Sequence, residues 1–583
     1  MKTKYDKFPK IRISDNSEDC ISGWQSILHT ISEKLGQVNK QNKVIAIDVY
    51  QGVSDEEIEI ALKKYLKPSS FFLTQKAFKS EKEIEEMVFP DVTDDRIFGH
   101  MTSLGITDFF DSRKLSDLKK EITEDLGNLK VIYGHGASLF GEADVLVYVD
   151  MARWEIQLRM RNNELGNLGV FNSHIDIALR YKQSFFVDWR VLDRHKMSIF
   201  DKCDFVVDAN KKSNPKMLTR EKLASAYKKV IQQPFRVVPF FDPGPWGGQW
   251  MKEVMDLDPS AINYAWSFDC VPEENSILLS FGDITFEAPA INLTLKEPQA
   301  LLGDRVYEKF GAEFPIRFDF LDTMEGGNLS LQVHPSNEYV KEKFGMPYTQ
   351  DESYYIMEAK EDAVVYLGFK NEVQPEKMIS ELKEAQEKGT FFDADKHVAK
   401  YQIKKHDHIL IPNGTVHCSG ENSVVLEISA TPYIFTFKLW DWGRLGLDGL
   451  PRPINIEHGE QVIDWSRKED FSKEELINKI EKVDEGNGWI EERTGLHPTV
   501  FIETRRHWFT SKVPHQTFGS VNVLNLVEGE EAVVESPDGT FEPFVIRYAE
   551  TFIVPASVKE YTIRPYGASI GKKCATMKAF VRQ

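Results

Sequence analysis

The feature that most constrains this chain is a repeat in its C-terminal half. YYIMEAKEDAVVYLG at 354–368 resembles VLNLVEGEEAVVES at 523–536, and ILIPNGTVH at 409–417 resembles FIVPASVKE at 552–560. Each copy reads as strand, turn, strand, then a strand ending in Pro before a loop. Two copies of one small barrel is the inference. From the turn-rich FDPGPWGGQW to the end, short alternating strands separated by Gly, Pro, Asn and Asp continue the pattern of an antiparallel sandwich or barrel. A helical insert is predicted at about 374–388 and a second helical stretch at about 470–484.

The copies differ in their chemistry. In NLSLQVHP, alternation places Leu329, Leu331 and Val333 on one face and Ser330, Gln332 and His334 on the other. A face carrying a hydroxyl, an amide and an imidazole meets solvent or lines a polar cavity. Glu352 precedes the apolar strand SYYIM, and His417 follows a Pro412-Asn413-Gly414 turn. The strand VVLEIS then sets Val425, Glu427 and Ser429 opposite Val424, Leu426 and Ile428. One amide oxygen, one carboxylate and two imidazoles form a mixed donor set. It suits Zn²⁺, could also take Mn²⁺, Fe²⁺ or Co²⁺, and leaves a position for water or substrate. A histidine on a strand is more often a hydrogen-bonded core or surface residue. Two features favour a metal: the order Q-x-H…E…H at strand positions, and the loss of these residues from the second copy, where Val521 aligns with Glu352 and Glu560 with His417.

Upstream the texture is different. KVIAIDVY, ADVLVYVD and CDFVVDAN are buried-strand patterns alternating with helical runs, which predicts a parallel α/β sheet over 40–210. Residues 1–39 read as an N-terminal extension and 211–234 as a helical linker. The remainder divides into 235–465, the metal-binding domain with its helical insert, and 466–583, a second and metal-free domain. The 583 residues fit such a multidomain chain. A net charge of −19 argues against nucleic-acid or anionic-membrane binding, both of which need a basic face. It still allows a locally basic site for an anionic small molecule. Cys20, Cys203, Cys270, Cys418 and Cys574 are far apart and form no C-x-x-C pair, which fits a reducing cytoplasm. No apolar signal region or run of 18 apolar residues is seen, so no transmembrane helix is expected.

From about residue 235 onward the chain resembles the type I mannose-6-phosphate isomerases, a zinc-dependent cupin family. PWGGQWM, FPIRFDFLDTMEGGNLSLQVHPSNEY, IPNGTVHCSG and VVLEIS carry the likeness. The resemblance implies a double-cupin (jelly-roll) region and one Zn²⁺ per chain on Gln332, His334, Glu352 and His417. It implies Ser330 as a contact to the substrate phosphate, and interconversion of mannose 6-phosphate and fructose 6-phosphate through a cis-enediol. Glu427 is then an acid/base candidate. Two departures stand out. The family's Lys two residues before the zinc-binding Glu is Gln350 here, and its functional Arg after V-L-E aligns with Lys438, with Arg444 six residues on. Lys keeps the charge of Arg but not its planar fork. Lys341 and Lys343 are nearby in sequence and read as a solvated helix face.

The N-terminal region resembles the P-loop fold of nucleoside and uridine kinases in KVIAIDVYQGVSDEEIEIALKKYL, ADVLVYVDMARWEIQLRMR and DWRVLDRHK. The phosphate-cradling G-x-x-x-x-G-K-[ST] is absent; only Gly52 stands there, without Lys. Ser54-Asp55-Glu56-Glu57 reads as a capping box whose carboxylates occupy the helix N-terminus and repel ATP. The domain is read as a kinase relic without phosphoryl transfer, and Arg153, Arg159 and Arg161 as a solvated helix face or an anion contact. Two alternatives to a hexose-phosphate isomerase remain: a non-catalytic sugar-phosphate-binding regulator, or an isomerase of another aldose phosphate. An iron oxygenase is disfavoured by the glutamine ligand and Ser330. The sequence sets no oligomeric state.

Overall fold

A computed structural model describes residues 4–431, 434–495 and 497–582. The chain forms two compact units, Lys10–Lys229 with Glu273–Leu295, and Met1–Pro9 with Val230–Pro272 and Lys296–Gln583. Among the described residues no helix is long and apolar enough to cross a membrane. All five cysteines are free and buried.

In the first unit, five parallel strands run in the order Ser70–Leu73, Leu129–Gly134, Lys43–Val49, Val145–Asp150, Phe205–Asp208. Lys216–Thr219 and Ile21–Ser22 extend the sheet antiparallel at one edge. KVIAIDV is apolar almost throughout because helices cover parallel sheets on both faces. Its Ile45, Ile47 and Val49 pack with Ile27, Leu28, Ile31 and Leu35 of the helix Trp24–Gly36 and with Ile58, Ala61 and Leu62 of the helix Asp55–Tyr65. Hence the expected boundaries shift. Residues 21–36 and 216–229 belong to this unit rather than to an extension and a linker, since their apolar positions complete its core. Lys10–Ser14, Ser276–Phe281 and Ile284–Pro289 form a separate three-stranded sheet of the same unit.

The second unit contains two barrels of the same construction. In the first, one sheet runs His408–Ile411, Glu352–Ala359, Ser423–Ala430, Ile316–Asp322, Trp266–Cys270, Phe240–Asp242. In the second it runs Thr551–Val554, Asn522–Glu528, Cys574–Val581, Ile502–Phe509, Trp489–Gly495, Glu481–Gly486. The facing sheets match likewise. Val398–Gln402, Val364–Phe369, His417–Ser419 and Leu331–Val333 correspond to Phe544–Arg547, Glu531–Glu535, Glu560–Pro565 and Val513–Gln516, and among the described residues Phe437–Trp440 has no counterpart. The helical insert is Pro375–Lys388. The second expected helical stretch is shorter than 470–484: helical turns end at Leu476, and Glu481–Gly486 is a fully exposed edge strand whose charged residues have no apolar stripe for a helix to bury.

The register corrects the alignment of the two copies. Glu352 pairs with Ile411 and Ser429, and Asn522 pairs with the matching Val554 and Phe580. Asn522, not Val521, therefore stands at the Glu352 position. A bulge in each strand, between Ile356 and Glu358 and between Leu526 and Glu528, fixes the match. On the facing strand Glu560 is exposed and Tyr561 is buried, so Tyr561 takes the inward place of His417. One residue of slip exchanges faces.

Candidate metal centre

Three short neighbouring strands set the first barrel's polar residues in register. Gln332 lies opposite His417 on one side and Lys438 on the other. Glu352 opens the next sheet's central strand. His417 Nε2 lies 2.7 Å from Glu352 Oε1, and His334 Nε2 lies 3.1 Å from Glu352 Oε2. The ligand atoms of His334, Glu352 and His417 all fall within 4.8 Å of one another, and all three side chains are buried. His417 Nδ1–H donates to Thr415 O at 2.9 Å and His334 Nδ1–H to Phe435 O at 3.2 Å. These bonds fix the tautomers, so both Nε2 lone pairs point at Glu352, as outer partners orient metal-bound imidazoles. Despite that proximity, His334 Nε2 and Glu352 Oε1 make no well-directed hydrogen bond. Buried atoms left so are rare and costly. The arrangement is that of donors facing a shared cation, and two imidazoles with a carboxylate fit a divalent metal.

Gln332 stands beside this group. Its Nε2 lies 3.3 Å from His417 Nε2, and a half-turn of the amide exchanges nitrogen and oxygen at that point. Burial opposes ionisation of Glu352, but positive charge at this point, carried by His334 and His417 when protonated, holds its carboxyl well below the usual range.

Around this centre lies a second set of charges. Glu427, on the strand beside Glu352, is ion-paired with Arg317 and accepts a 3.0 Å hydrogen bond from Ser429 Oγ. Arg317 also contacts Asp319 at 2.9 Å. Burial, and then the Glu352 charge, push Glu427 up to about 7 against the pull of Arg317. Among the described residues the Lys438 ammonium makes no hydrogen bond or ion pair; burial, and then the Arg452 charge, lower it to about 8. Ser330 Oγ donates to Asp441 Oδ1 at 3.1 Å, and Arg452 donates to Asp441 Oδ2 at 2.6 Å and to Ser330 Oγ at 3.2 Å. Arg444 donates to Asp441 Oδ1 at 2.6 Å.

The expected residues are thus brought together with different partners than their order suggests. Gln350 donates to Glu352 Oε2 at 3.2 Å and so faces a ligand rather than open space. Ser330 and Arg444 meet on Asp441. Sequence reasoning missed Asp441, Arg452, Arg317 and Asp319. Arg452 stands between two prolines in a loop with no periodicity, and Asp319 and Arg317 alternate inside FPIRFDF like ordinary strand polar residues.

In the N-terminal unit, Ser54 caps the helix by accepting from Glu57 N, but Glu57 does not close a capping box. Its carboxylate takes hydrogen bonds from Trp24 Nε1 at 2.7 Å and Ser213 N at 3.0 Å. Arg153 and Arg159 are buried, not solvated: Arg153 pairs with Asp193, and Arg159 pairs with Glu155 and donates to Gly52 O, Ala209 O and Asn210 O. Their guanidinium groups are spent on the protein itself.

A family described as a domain of unknown function (DUF8485) matches residues 23–232. That match brings no activity with it, and the P-loop kinase likeness gains nothing from it. For the remainder, the chain is 30% identical over 153 residues to a probable mannose-6-phosphate isomerase, GmuF, of Bacillus subtilis (strain 168), covering 26% of this chain and 45% of that protein. The chain thus spans about half the length of this relative. It is 22% identical over 350 residues to a putative mannose-6-phosphate isomerase, YvyI, of the same organism, covering 58% of this chain and 97% of the relative. Among solved structures, the mannose 6-phosphate isomerase of Bacillus subtilis aligns with a TM-score of 0.48 at 17% identity, over 60% of this chain and 99% of the other.

Proposed function

We propose that the first barrel is the active site of a metal-dependent aldose–ketose isomerase that interconverts mannose 6-phosphate and fructose 6-phosphate. The observation that carries this reading is the convergence of His334, Glu352 and His417 on one buried point, in the part of the chain whose curated relatives bear that name. Gln332, His334, Glu352 and His417 would hold the ion, with Zn²⁺ favoured by the nitrogen-rich donor set. A divalent ion there supplies positive charge to the enediolate that develops between C1 and C2.

The chain's own residues do the rest. Glu427, poised at about 7, takes the proton from C2 of the aldose and returns it to C1. Lys438, beside Gln332 and with no partner to its ammonium among the described residues, moves a proton between O1 and O2. Ser330 and the two arginines gathered on Asp441 grip the phosphate. Arg452 then supplies the cation that Gln350 does not.

A second reading is a sugar-phosphate-binding regulator without turnover. It is favoured by Gln350, whose amide is hydrogen-bonded to Glu352 where a cation was expected. Assay of the metal-loaded full chain for mannose 6-phosphate conversion separates the two. Turnover that a chelator abolishes and Zn²⁺ restores is expected. Ligand binding without turnover would establish the regulator. In the active enzyme, Arg452→Met should raise KM by about 10–100-fold, the loss of a charged hydrogen bond, with kcat little changed.

A further inference from the structure

The second barrel lacks the metal ligands, yet its interior is not apolar. Phe509, Val513, Leu524, Ile563 and Cys574 fill one end as a hydrophobic core. Two residues along the same strand faces stand His507, His515, Tyr561 and Thr576, and four along stands Lys578. The strand register shows what these positions replace. Asp319 pairs with Glu427 in the first barrel, and Arg505 pairs with Lys578 in the second. Arg317 pairs with Ser429, and Glu503 with Phe580. The charges are reversed position by position: Arg317, Asp319 and Glu427 become Glu503, Arg505 and Lys578. With Glu352 replaced by Asn522, four equivalent sites carrying three carboxylates and one guanidinium now carry two cations, one carboxylate and an amide.

Among the described residues, part of this reversed cluster lacks hydrogen-bond partners. Glu491 is held by Arg505 at 2.8 Å and by His507 Nε2 at 3.2 Å, and Glu503 by Arg505 at 2.7 Å. Lys578 has no such partner. It is 1% exposed, and among the described residues its ammonium makes no hydrogen bond or ion pair; Nζ lies 5.0 and 5.5 Å from the ring centroids of Phe518 and Phe580, and the Glu491 and Glu503 charges act on it without touching it. Both ring nitrogens of His515 and Nδ1 of His507 are buried without partners. The His515 ring stacks on Tyr561 at 4.9 Å and lies 4.2 Å from His507. A buried ammonium without an acceptor and an imidazole without any partner are each costly. An anion with several acceptor oxygens answers both at once, taking the ammonium's protons and an N–H of His515.

We propose that the second barrel binds a small oxyanion, a carboxylate or phosphate group, on Lys578 and His515, in the place where the first barrel gathers its carboxylates. No bond to carbon changes; the site recognises charge.

The test is calorimetric titration of the metal-loaded full chain with inorganic phosphate, and separately with acetate. An Arg452→Met background weakens the proposed phosphate grip of the first barrel, so that binding at the second stands out. Phosphate binding that survives Arg452→Met and weakens by about tenfold or more in both Lys578→Met and His515→Phe is expected, as for truncating a buried charge pair. Competition by acetate would show that a carboxylate suffices; none would make phosphate the ligand. Absence of saturable binding of either ion in the Arg452→Met chain, or equal affinity in the Lys578→Met chain, would overturn the proposal. Should Lys578→Met not fold, Lys578→Arg keeps the charge. The ³¹P line width of phosphate should then still broaden on addition of that variant and sharpen again with His515→Phe.

Discussion

The two barrels share strand order, register and even the bulge in the central strand, and differ in what that frame presents inward. In the first, Glu352 and His417 meet at 2.7 Å with imidazole lone pairs turned inward. In the second, Tyr561 donates to Asn522 Oδ1 at 2.9 Å across the equivalent gap. A tyrosine–amide pair satisfies itself, whereas a histidine–glutamate pair leaves atoms that call for a cation. The frame therefore does not dictate chemistry; two side chains on adjacent strands do. The charges beneath follow the same division, acidic around Arg317 in one barrel and basic around Glu491 and Glu503 in the other.

The contrast can be broken most forcefully at Glu427. Glu427→Gln should lower kcat by about 10²–10⁴, the usual contribution of a general base, while metal content stays the same. The equivalent change, Lys578→Met, should leave kcat alone. An equal loss of kcat from both would mean that the barrels do not divide the work. Of smaller effect is Tyr561→Phe, which strands the buried Asn522 Oδ1. It should cost about 1–3 kcal/mol of stability in denaturant unfolding with turnover unchanged. A stability unaffected by that change would show the Tyr561–Asn522 pair to be dispensable.

The smallest effect is one of pH. Burial lowers Lys578 to about 7 in the folded chain, below the ~10.4 of a free lysine. Between those values the unfolded chain holds a proton that the folded chain lacks, so this group makes stability rise with pH across that window. In buffer free of oxyanions, the rise seen in the wild type should shrink in Lys578→Met. An identical slope in both would contradict a buried, unpartnered ammonium.

Much of this was legible in the sequence, for a physical reason. The duplicated strand pattern and the Q-x-H…E…H order are local signals, carried by alternation and by residue type. His334, Glu352 and His417 lie within 4.8 Å of one another, with Gln332 beside His417. What alternation could not supply was register between copies. Aligning the strings put Val521 and Glu560 at the ligand positions, and only strand pairing places Asn522 and Tyr561 there. Nor could it show partners distant in sequence. Arg452 reaches Ser330 and Asp441 from a proline-flanked loop, and Arg317 reaches Glu427 across a sheet. In the N-terminal unit the strand and helix runs were plain. The roles of Arg153 and Arg159 were not, because a helix pattern with alternating charge reads as solvated until burial is seen.

The central contrast is a first barrel that holds a divalent ion and a second that does not. Its most direct test is elemental analysis of the purified full chain after loading with Zn²⁺ and dialysis. One ion per chain should be retained by the wild type and by His507→Ala/His515→Ala, and lost from His334→Ala/His417→Ala. Retention by the His334/His417 variant, or loss from the His507/His515 variant, would contradict it.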